Sequence, residues 1–222
     1  AVRGEEISRP FERLVDEVRL LAVDGVTEVT LLGQNVNSYG RDLTLAARQA
    51  GDAAVRVRPL FADLRRAVGA VEGIRRVRYT SPHPKDLRPE TIAAMAETPE
   101  VCEHLHLPLQ SGSDRVLAAM HRGYTAERYL ERVADARAAV ADLALTTDLI
   151  VGFPGETDAD FEETLAVAAA AEYDSAYTFI YSPRPGTEAA DLVDRFVDPA
   201  VVAERFDRLK VVLERSALAK HE

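Results

Sequence analysis

Neutral donors and acceptors gather wherever a strand-like run of this sequence ends. Gln34 and Asn35 follow the run 26–32, Ser81 follows 74–80, and Gln110, Ser111 and Ser113 follow 102–107. The run 143–151 carries Asp148 and ends in Gly152-Phe153-Pro154-Gly155-Glu156-Thr157, and the run 175–181 ends in Ser182-Pro183-Arg184. Amides and hydroxyls bond the polar edges of a small molecule, whereas hydrolysis needs an activated nucleophile or a base. The set is poor in both, so it suits holding a polar cofactor better than acid–base hydrolysis. Glycine, serine and proline at strand ends also turn the chain and cap helices, and that suffices for Pro82, Pro84, Pro108 and Pro154.

A second chemistry competes. His104 and His106 lie two apart in a strand-like run, so they share a face, and such a pair can ligate a metal. With His83 and Asp148 on neighbouring strands they would make a metal-dependent barrel hydrolase, against the plainer role of hydrogen-bonded core or rim histidines. The phosphate loop G-x-x-x-x-G-K-S/T, the dinucleotide fingerprint G-x-G-x-x-G, the G-x-S-x-G elbow and H-E-x-x-H are all absent from these 222 residues. One cysteine, Cys102, excludes a disulfide framework and cannot alone hold zinc or an iron–sulfur cluster. Its place in a strand-like run predicts a buried structural thiol.

The elements that must position these residues alternate. Phe11, Leu14, Val15, Val18, Leu21 and Ala22 recur at helical spacing after Pro10, and Gly25 ends the run. Strand 26–32 follows. Residues 38–59 show no clear period and read as a mobile loop insertion. Helix 60–71, strand 74–80, helix 87–96, strand 102–107, a helix from Asp114, helix 126–141, strand 143–151, strand 175–181 and helix 199–219 complete the order. Ser111 or Ser113 is the expected cap of the Asp114 helix, and Thr157 with Asp160 resembles a capping box. Val202, Phe206, Leu209 and Leu213 supply the buried stripe of the last helix. Five strands alternating with helices, each followed by a polar segment, predict an α/β fold: a (β/α) barrel or open parallel sheet with its chemistry at the C-terminal rim.

Hydrophobic residues make up 47% and charged residues 29%, an ordinary globular mix with no apolar run of membrane-spanning length and no signal-peptide core. The expectation is a soluble, cytoplasmic protein without a membrane partner. A net charge of −10 gives no general attraction for nucleic acid. Arginines cluster at Arg56 and Arg58, at Arg65 and Arg66, and at Arg75, Arg76 and Arg78, positions that read as solvated faces or a local RNA grip.

Six ordered segments resemble one family. They are Arg3-Gly4 with Ser8-Arg9-Pro10; Leu31-Leu32-Gly33-Gln34-Asn35-Val36-Asn37-Ser38-Tyr39; Ser81-Pro82-His83-Pro84; and His106 through Pro108, Gln110, Ser111, Gly112 and Ser113 to Met120-His121-Arg122-Gly123-Tyr124-Thr125. Residues 148–157 and Tyr181-Ser182-Pro183-Arg184-Pro185-Gly186-Thr187 complete them. Together they look like the central barrel of the radical S-adenosylmethionine (SAM) methylthiotransferases, over essentially the whole chain. The Gly33–Asn37 run resembles the branch that acts on an isopentenylated adenosine beside the anticodon of tRNA.

The resemblance implies a partial TIM-like radical SAM barrel with a parallel sheet, its first strand missing, and one truncated core domain over residues 1–222. It implies SAM and two 4Fe-4S clusters in the parent enzyme, a tRNA substrate and a reductant protein. One cluster cleaves SAM to a 5'-deoxyadenosyl radical, and the other supplies sulfur for the methylthio group placed on C2. Carried over by position, Gln34 and Asn35 lie near the methionine end of SAM, Ser111 and Ser113 near its ribose, Arg122 near its carboxylate, and the loop from Gly152 to Glu156 near its adenine. Ser81, Gln110 and Asp148 complete the implied cofactor-binding set. The sequence departs from the family in lacking the C-x-x-x-C-x-x-C cluster loop that precedes Arg3-Gly4, the amino-terminal domain with three further cysteines, and the carboxy-terminal RNA-binding domain. This chain alone is therefore expected to carry no metal ligand or catalytic residue and to turn over nothing, while a non-catalytic binding module stands as the other alternative. A missing first strand also predicts an exposed sheet edge at 26–32.

Overall fold

The computed structural model describes residues 7–221, so the Arg3-Gly4 segment lies outside the described residues. Pro10 precedes α1 (Phe11–Val23), which buries Val15 and Val18 and leaves through Asp24 and a left-handed Gly25. Then follow β1 (Glu28–Leu31), α2 (Arg41–Gln49), α3 (Phe61–Gly69), β2 (Arg76–Tyr79), α4 (Pro89–Glu97) and β3 (His104–His106). The order continues with α5 (Asp114–Ala119), α6 (Ala126–Ala139), β4 (Ala144–Val151), α7 (Asp158–Ala171), β5 (Ser175–Ile180) and α8 (Pro199–His221). No helix among the described residues is long and apolar enough to cross a membrane.

The described residues form two compact units, residues 7–104 with 135–142, and residues 105–134 with 143–221. In the first, β1 and β2 run parallel with Glu28 opposite Arg76 and Leu31 opposite Tyr79, and Val77 adds a parallel bridge to Val101. Among the described residues β1 pairs with β2 alone, which leaves one long side of β1 without a strand partner. The core here is Phe61, Leu64, Val68, Val77, Tyr79, Ile92 and Met95.

In the second unit the strands lie in the order β3-β4-β5, and β4 and β5 are parallel from Thr146 opposite Ser175 to Val151 opposite Ile180. Strand β4 alternates strictly: Leu145, Thr147, Leu149 and Val151 are buried, and Thr146, Asp148 and Ile150 are half-buried on the other face. The period of two thus places Asp148 on the more open face. Thr157 and Asp160 form a complete capping box on α7.

Three expectations need correction. Residues 38–59 are not one irregular loop: they contain α2, a helix of 9 residues that buries only Thr44 and is too short for its period to stand out. Its Gly40 is left-handed, and a Cβ there would stand 2.7 Å from Leu60 Cβ. In α8 the buried positions are Val202, Arg205, Leu209 and Leu213, with Phe206 only half-buried. Cys102 is a free, half-buried thiol just before β3 rather than a core residue.

Candidate functional site

Ser81 after β2, Gln110 after β3 and Gly152 after β4 all have left-handed backbones, with φ of 59°, 70° and 77°. For non-glycine residues this conformation is costly, and it persists only where the surroundings hold it. Ser81 is exposed and its carbonyl accepts from Val36 N at 3.4 Å. In the same unit Asn35 Nδ2 donates to Asp86 Oδ2 at 2.6 Å, and Asn37 Nδ2 donates to the His83 carbonyl at 3.3 Å. The side-chain oxygens of Asn35 and Asn37 are buried and have no partner. Gln34 is exposed beside them. Asn37 was not singled out in the sequence, where only its place in the Gly33–Asn37 run marked it.

The second unit holds the rest of the set. Gln110 is buried, locked by the bonds Gln110 N to Asp148 O at 2.8 Å and Ile150 N to Gln110 O at 2.9 Å. Its Oε1 accepts from Arg122 Nη2 at 2.9 Å. Arg122 is half-buried, its Nε is buried without a partner, and no carboxylate among the described residues faces it. That sets it apart from Arg58, Arg66, Arg76, Arg78, Arg115, Arg205 and Arg208, each of which has a carboxylate partner. The clustered arginines accordingly spend much of their charge on Asp63, Glu97 and Glu28. Arg65 is fully buried rather than solvated, flanked by the rings of Phe61 and Tyr79 at 4.9 Å each, and it donates to the Thr91 carbonyl.

Ser111 and Ser113 are buried with their hydroxyls directed at α7. Ser111 Oγ lies 3.3 Å from Thr164 Oγ1 and accepts from Ser113 N at 3.2 Å, while Ser113 Oγ donates to Asp160 Oδ1 at 2.7 Å. Ser113 stands at the N-cap position of α5 without capping it through its side chain. Asp160 gathers this region: its carboxylate also accepts from Thr157 N at 2.7 Å, from Thr157 Oγ1, and from Nε and Nη2 of Arg115. Burial pushes its carboxyl up, and Arg115, Thr157 and Ser113 overcome that and hold it well below the ordinary carboxylate range. Only its place as the third residue of the cap pointed to Asp160 in the sequence.

The loop 152–156 is fixed from several sides. Glu156 Oε2 accepts from Gly152 N at 2.9 Å and from Arg205 Nη1 at 2.8 Å, Gly155 N donates to the Arg195 carbonyl at 2.7 Å, and Arg115 Nη2 donates to the Gly155 carbonyl at 2.6 Å. Phe153 packs edge-on against Tyr181 with ring centroids 5.5 Å apart. Burial raises the pKa of Glu156 against the pull of Gly152 N and Arg205, and Oε1 of Glu156 is buried without a partner. Asp148, on the open face of β4, stands 3.5 Å through Oδ2 from His106 Nε2, while His106 Nδ1 meets Thr146 Oγ1 at 2.9 Å. Both ring nitrogens of His106 thus have protein partners. Among the described residues no group of three or more His, Cys, Asp or Glu is arranged to hold a metal ion, so the hydrolase alternative gains no support.

Thiolates are the usual ligands of a four-iron cluster. Cys102 is the single thiol of this sequence, and its backbone N bonds to the Val77 carbonyl, so the residues of this chain do not fit a cluster. In the second unit the half-buried guanidinium of Arg122, which has no carboxylate partner among the described residues, is of the type that pairs with an amino-acid carboxylate such as that of SAM.

A model of the radical SAM superfamily matches residues 1–168. The tRNA-2-methylthio-N(6)-dimethylallyladenosine synthase of Moorella thermoacetica is 51% identical over 221 residues, covering 100% of this chain and 47% of that protein. The protein of the same name from Salinispora arenicola is 53% identical over 221 residues, 100% of this chain and 41% of that one. The chain thus spans less than half the length of these curated relatives. Among solved structures, coproporphyrinogen III oxidase (HemN) from Escherichia coli, a radical SAM enzyme, superposes with a TM-score of 0.61 at 15% identity, over 93% of this chain and 46% of that one. At that identity the likeness speaks for the fold, and it agrees with the expected radical SAM barrel with parallel strands.

Proposed function

Since the chain belongs to the radical SAM superfamily, we propose that it is the SAM-binding barrel of a tRNA methylthiotransferase, cytoplasmic and served by a reductant protein. The complete enzyme places a methylthio group on C2 of an N6-isopentenylated adenosine beside the anticodon. The observation that carries this is identity of 51% and 53%, along the whole chain, to proteins named for that modification. In this family a bound 4Fe-4S cluster and SAM supply hydrogen-atom abstraction, and a second cluster supplies the sulfur. This chain has one thiol, so no turnover is expected of it alone.

What the chain's own residues do is hold SAM. Arg122, held through Nη2 by Gln110, takes the carboxylate with the remaining edge of its half-buried guanidinium. The family resemblance assigns Gln34 and Asn35 to the methionine end, and Ser81, whose φ is 59°, turns the end of β2 in the same unit as these two residues. The loop from Gly152 to Glu156 meets the adenine, and Asp148 stands on the open sheet face. Ser111 and Ser113 act through the turn they build, since their hydroxyls are engaged by α7.

Arg122→Met in the complete, cluster-loaded protein is expected to weaken SAM binding roughly tenfold to a hundredfold, the range for losing a charge-assisted bond. Equilibrium dialysis with labelled SAM reads the effect. An unchanged affinity would remove Arg122 from the site.

A further inference from the structure

We propose that the open face of β4 and β5 receives the isopentenylated adenosine, with the base on the Tyr177 ring and the dimethylallyl group against Phe179 and Ile150. This rests on the reading of the protein as a methylthiotransferase acting on that nucleoside. A parallel sheet is ordinarily covered on both faces. Helix α8 packs on β4 and β5, and the face of β4 that carries Leu145, Thr147, Leu149 and Val151 is closed, all four being fully buried. The opposite face is open. The register sets Asp148 beside Tyr177 and Ile150 beside Phe179, and on that face Tyr177 is 64% and Phe179 50% exposed. Aromatic side chains bared on a strand that has a single partner are a liability, and two of them on one face point to a ligand that covers them.

The surroundings of this face select the occupant. It is continuous with the residues assigned to SAM, since Asp148 stands on it one strand away from Tyr177, a spacing of about 5 Å in a sheet. A hydrogen atom passes only between atoms about 3–3.5 Å apart, so the reacting base must lie beside SAM. Tyr177 is also steadied on its edge. The His106 ring meets it at 69° with centroids 6.3 Å apart, while His106 is itself placed by Thr146 Oγ1 at 2.9 Å and Asp148 Oδ2 at 3.5 Å. An exposed aromatic ring held in this way is a platform on which a base stacks. Beyond it the face turns apolar at Ile150 and Phe179. Polar at His106 and Asp148, aromatic at Tyr177 and apolar at the far end, the face matches a nucleoside with a polar base edge and a branched hydrocarbon on N6. Tyr177 and Phe179 precede the segment Tyr181–Thr187 that carries the family resemblance, and no motif marked them.

The test compares an anticodon stem-loop RNA carrying isopentenyladenosine with the same RNA carrying plain adenosine, by fluorescence anisotropy on the complete cluster-loaded protein. Wild type is expected to prefer the isopentenylated RNA roughly tenfold to a hundredfold, the range for burying a branched apolar group. Phe179→Ala is expected to lose most of that preference. Tyr177→Ala is expected to weaken both RNAs roughly fivefold or more, and Tyr177→Phe to keep them near wild type. Misfolding would weaken both RNAs together and leave their ratio unchanged, so the ratio separates contact at Phe179 from structural support. If the Ala variant does not fold, Phe179→Thr, which keeps a strand-forming residue, decides: a reduced ratio supports the proposal, and a wild-type ratio overturns it. A preference that survives at Phe179 overturns the proposal and leaves the modification reading standing; a changed oligomeric state in the same variant, read by sedimentation, would then give the face to a second copy. Unchanged affinity of Tyr177→Ala for both RNAs would overturn the placing of the base. A wild type that binds the two RNAs equally, or neither, overturns the isopentenylated substrate and the proposal with it.

Discussion

Replacing Asp160 with alanine will lower the stability of the protein by about 3 kcal/mol or more, read as a fall in the urea midpoint at unchanged slope. The carboxylate is 7% exposed and accepts from Ser113 Oγ, Thr157 N, Thr157 Oγ1 and two nitrogens of Arg115. Arg115 is more than half exposed, so that ion pair is screened and adds little. The weight falls on the buried Ser113 hydroxyl and the first turn of α7, which would lose their acceptor together. The turn 110–113 would loosen with them, and Gln110 with it.

The pH dependence has a definite sign. The folded pKa of Asp160 lies below its unfolded value, so its contribution is complete above the ordinary carboxylate range, near pH 4, and is lost as the pH falls through the folded value. The stability difference between wild type and Asp160→Asn is therefore expected to be larger at pH 7 than at pH 3. A difference that grew on acidification would contradict the assigned bonds.

Gly112→Ala should cost about 3 kcal/mol by steric conflict alone, the upper part of the range for overpacking. A Cβ at Gly112 would stand 2.5 Å from Thr164 Cα and 2.7 Å from the Glu163 carbonyl oxygen, both backbone atoms of α7. No rotamer change relieves such a contact. The glycine also donates from N to Thr164 Oγ1 at 3.0 Å, so shifting α7 breaks the bond that seats the turn. Gly186→Ala serves as the control. It has φ of 82° and open space around the added atom, so only backbone strain of about 1 kcal/mol is expected. Thermal melts of the two variants check the difference, and similar losses at both positions would argue against the close approach of α7.

Much of the fold could be read from periodicity, because the parallel strands are short apolar runs and the helices α1, α3 and α4 carry ordinary apolar stripes. Helix α2 could not, since its sequence buries one threonine and no hydrophobic side chain. The polar residues at the strand ends were visible as a set, yet their division of labour was not. Ser111 and Ser113 look like ligand hydroxyls in the sequence and turn out to face Thr164 and Asp160. Arg65 and Arg205 look like surface charge, and both are buried: one between aromatic rings, the other on a carboxylate 49 positions away. The one available signal for Arg205 was its place in the buried stripe with Val202 and Leu209, at spacings of three and four. Arg122 stood out through the family resemblance, and its lack of a carboxylate partner among the described residues is a fact of three-dimensional structure alone.

The proposed modification is tested most directly on tRNA from cells that carry the gene and from cells in which it is deleted, with the nucleosides separated and identified by mass spectrometry. Deletion is expected to abolish the 2-methylthio derivative of isopentenyladenosine and to leave isopentenyladenosine in its place, with the derivative restored by the wild-type gene and reduced by Arg122→Met. An unchanged nucleoside profile after deletion would contradict a role in methylthio transfer.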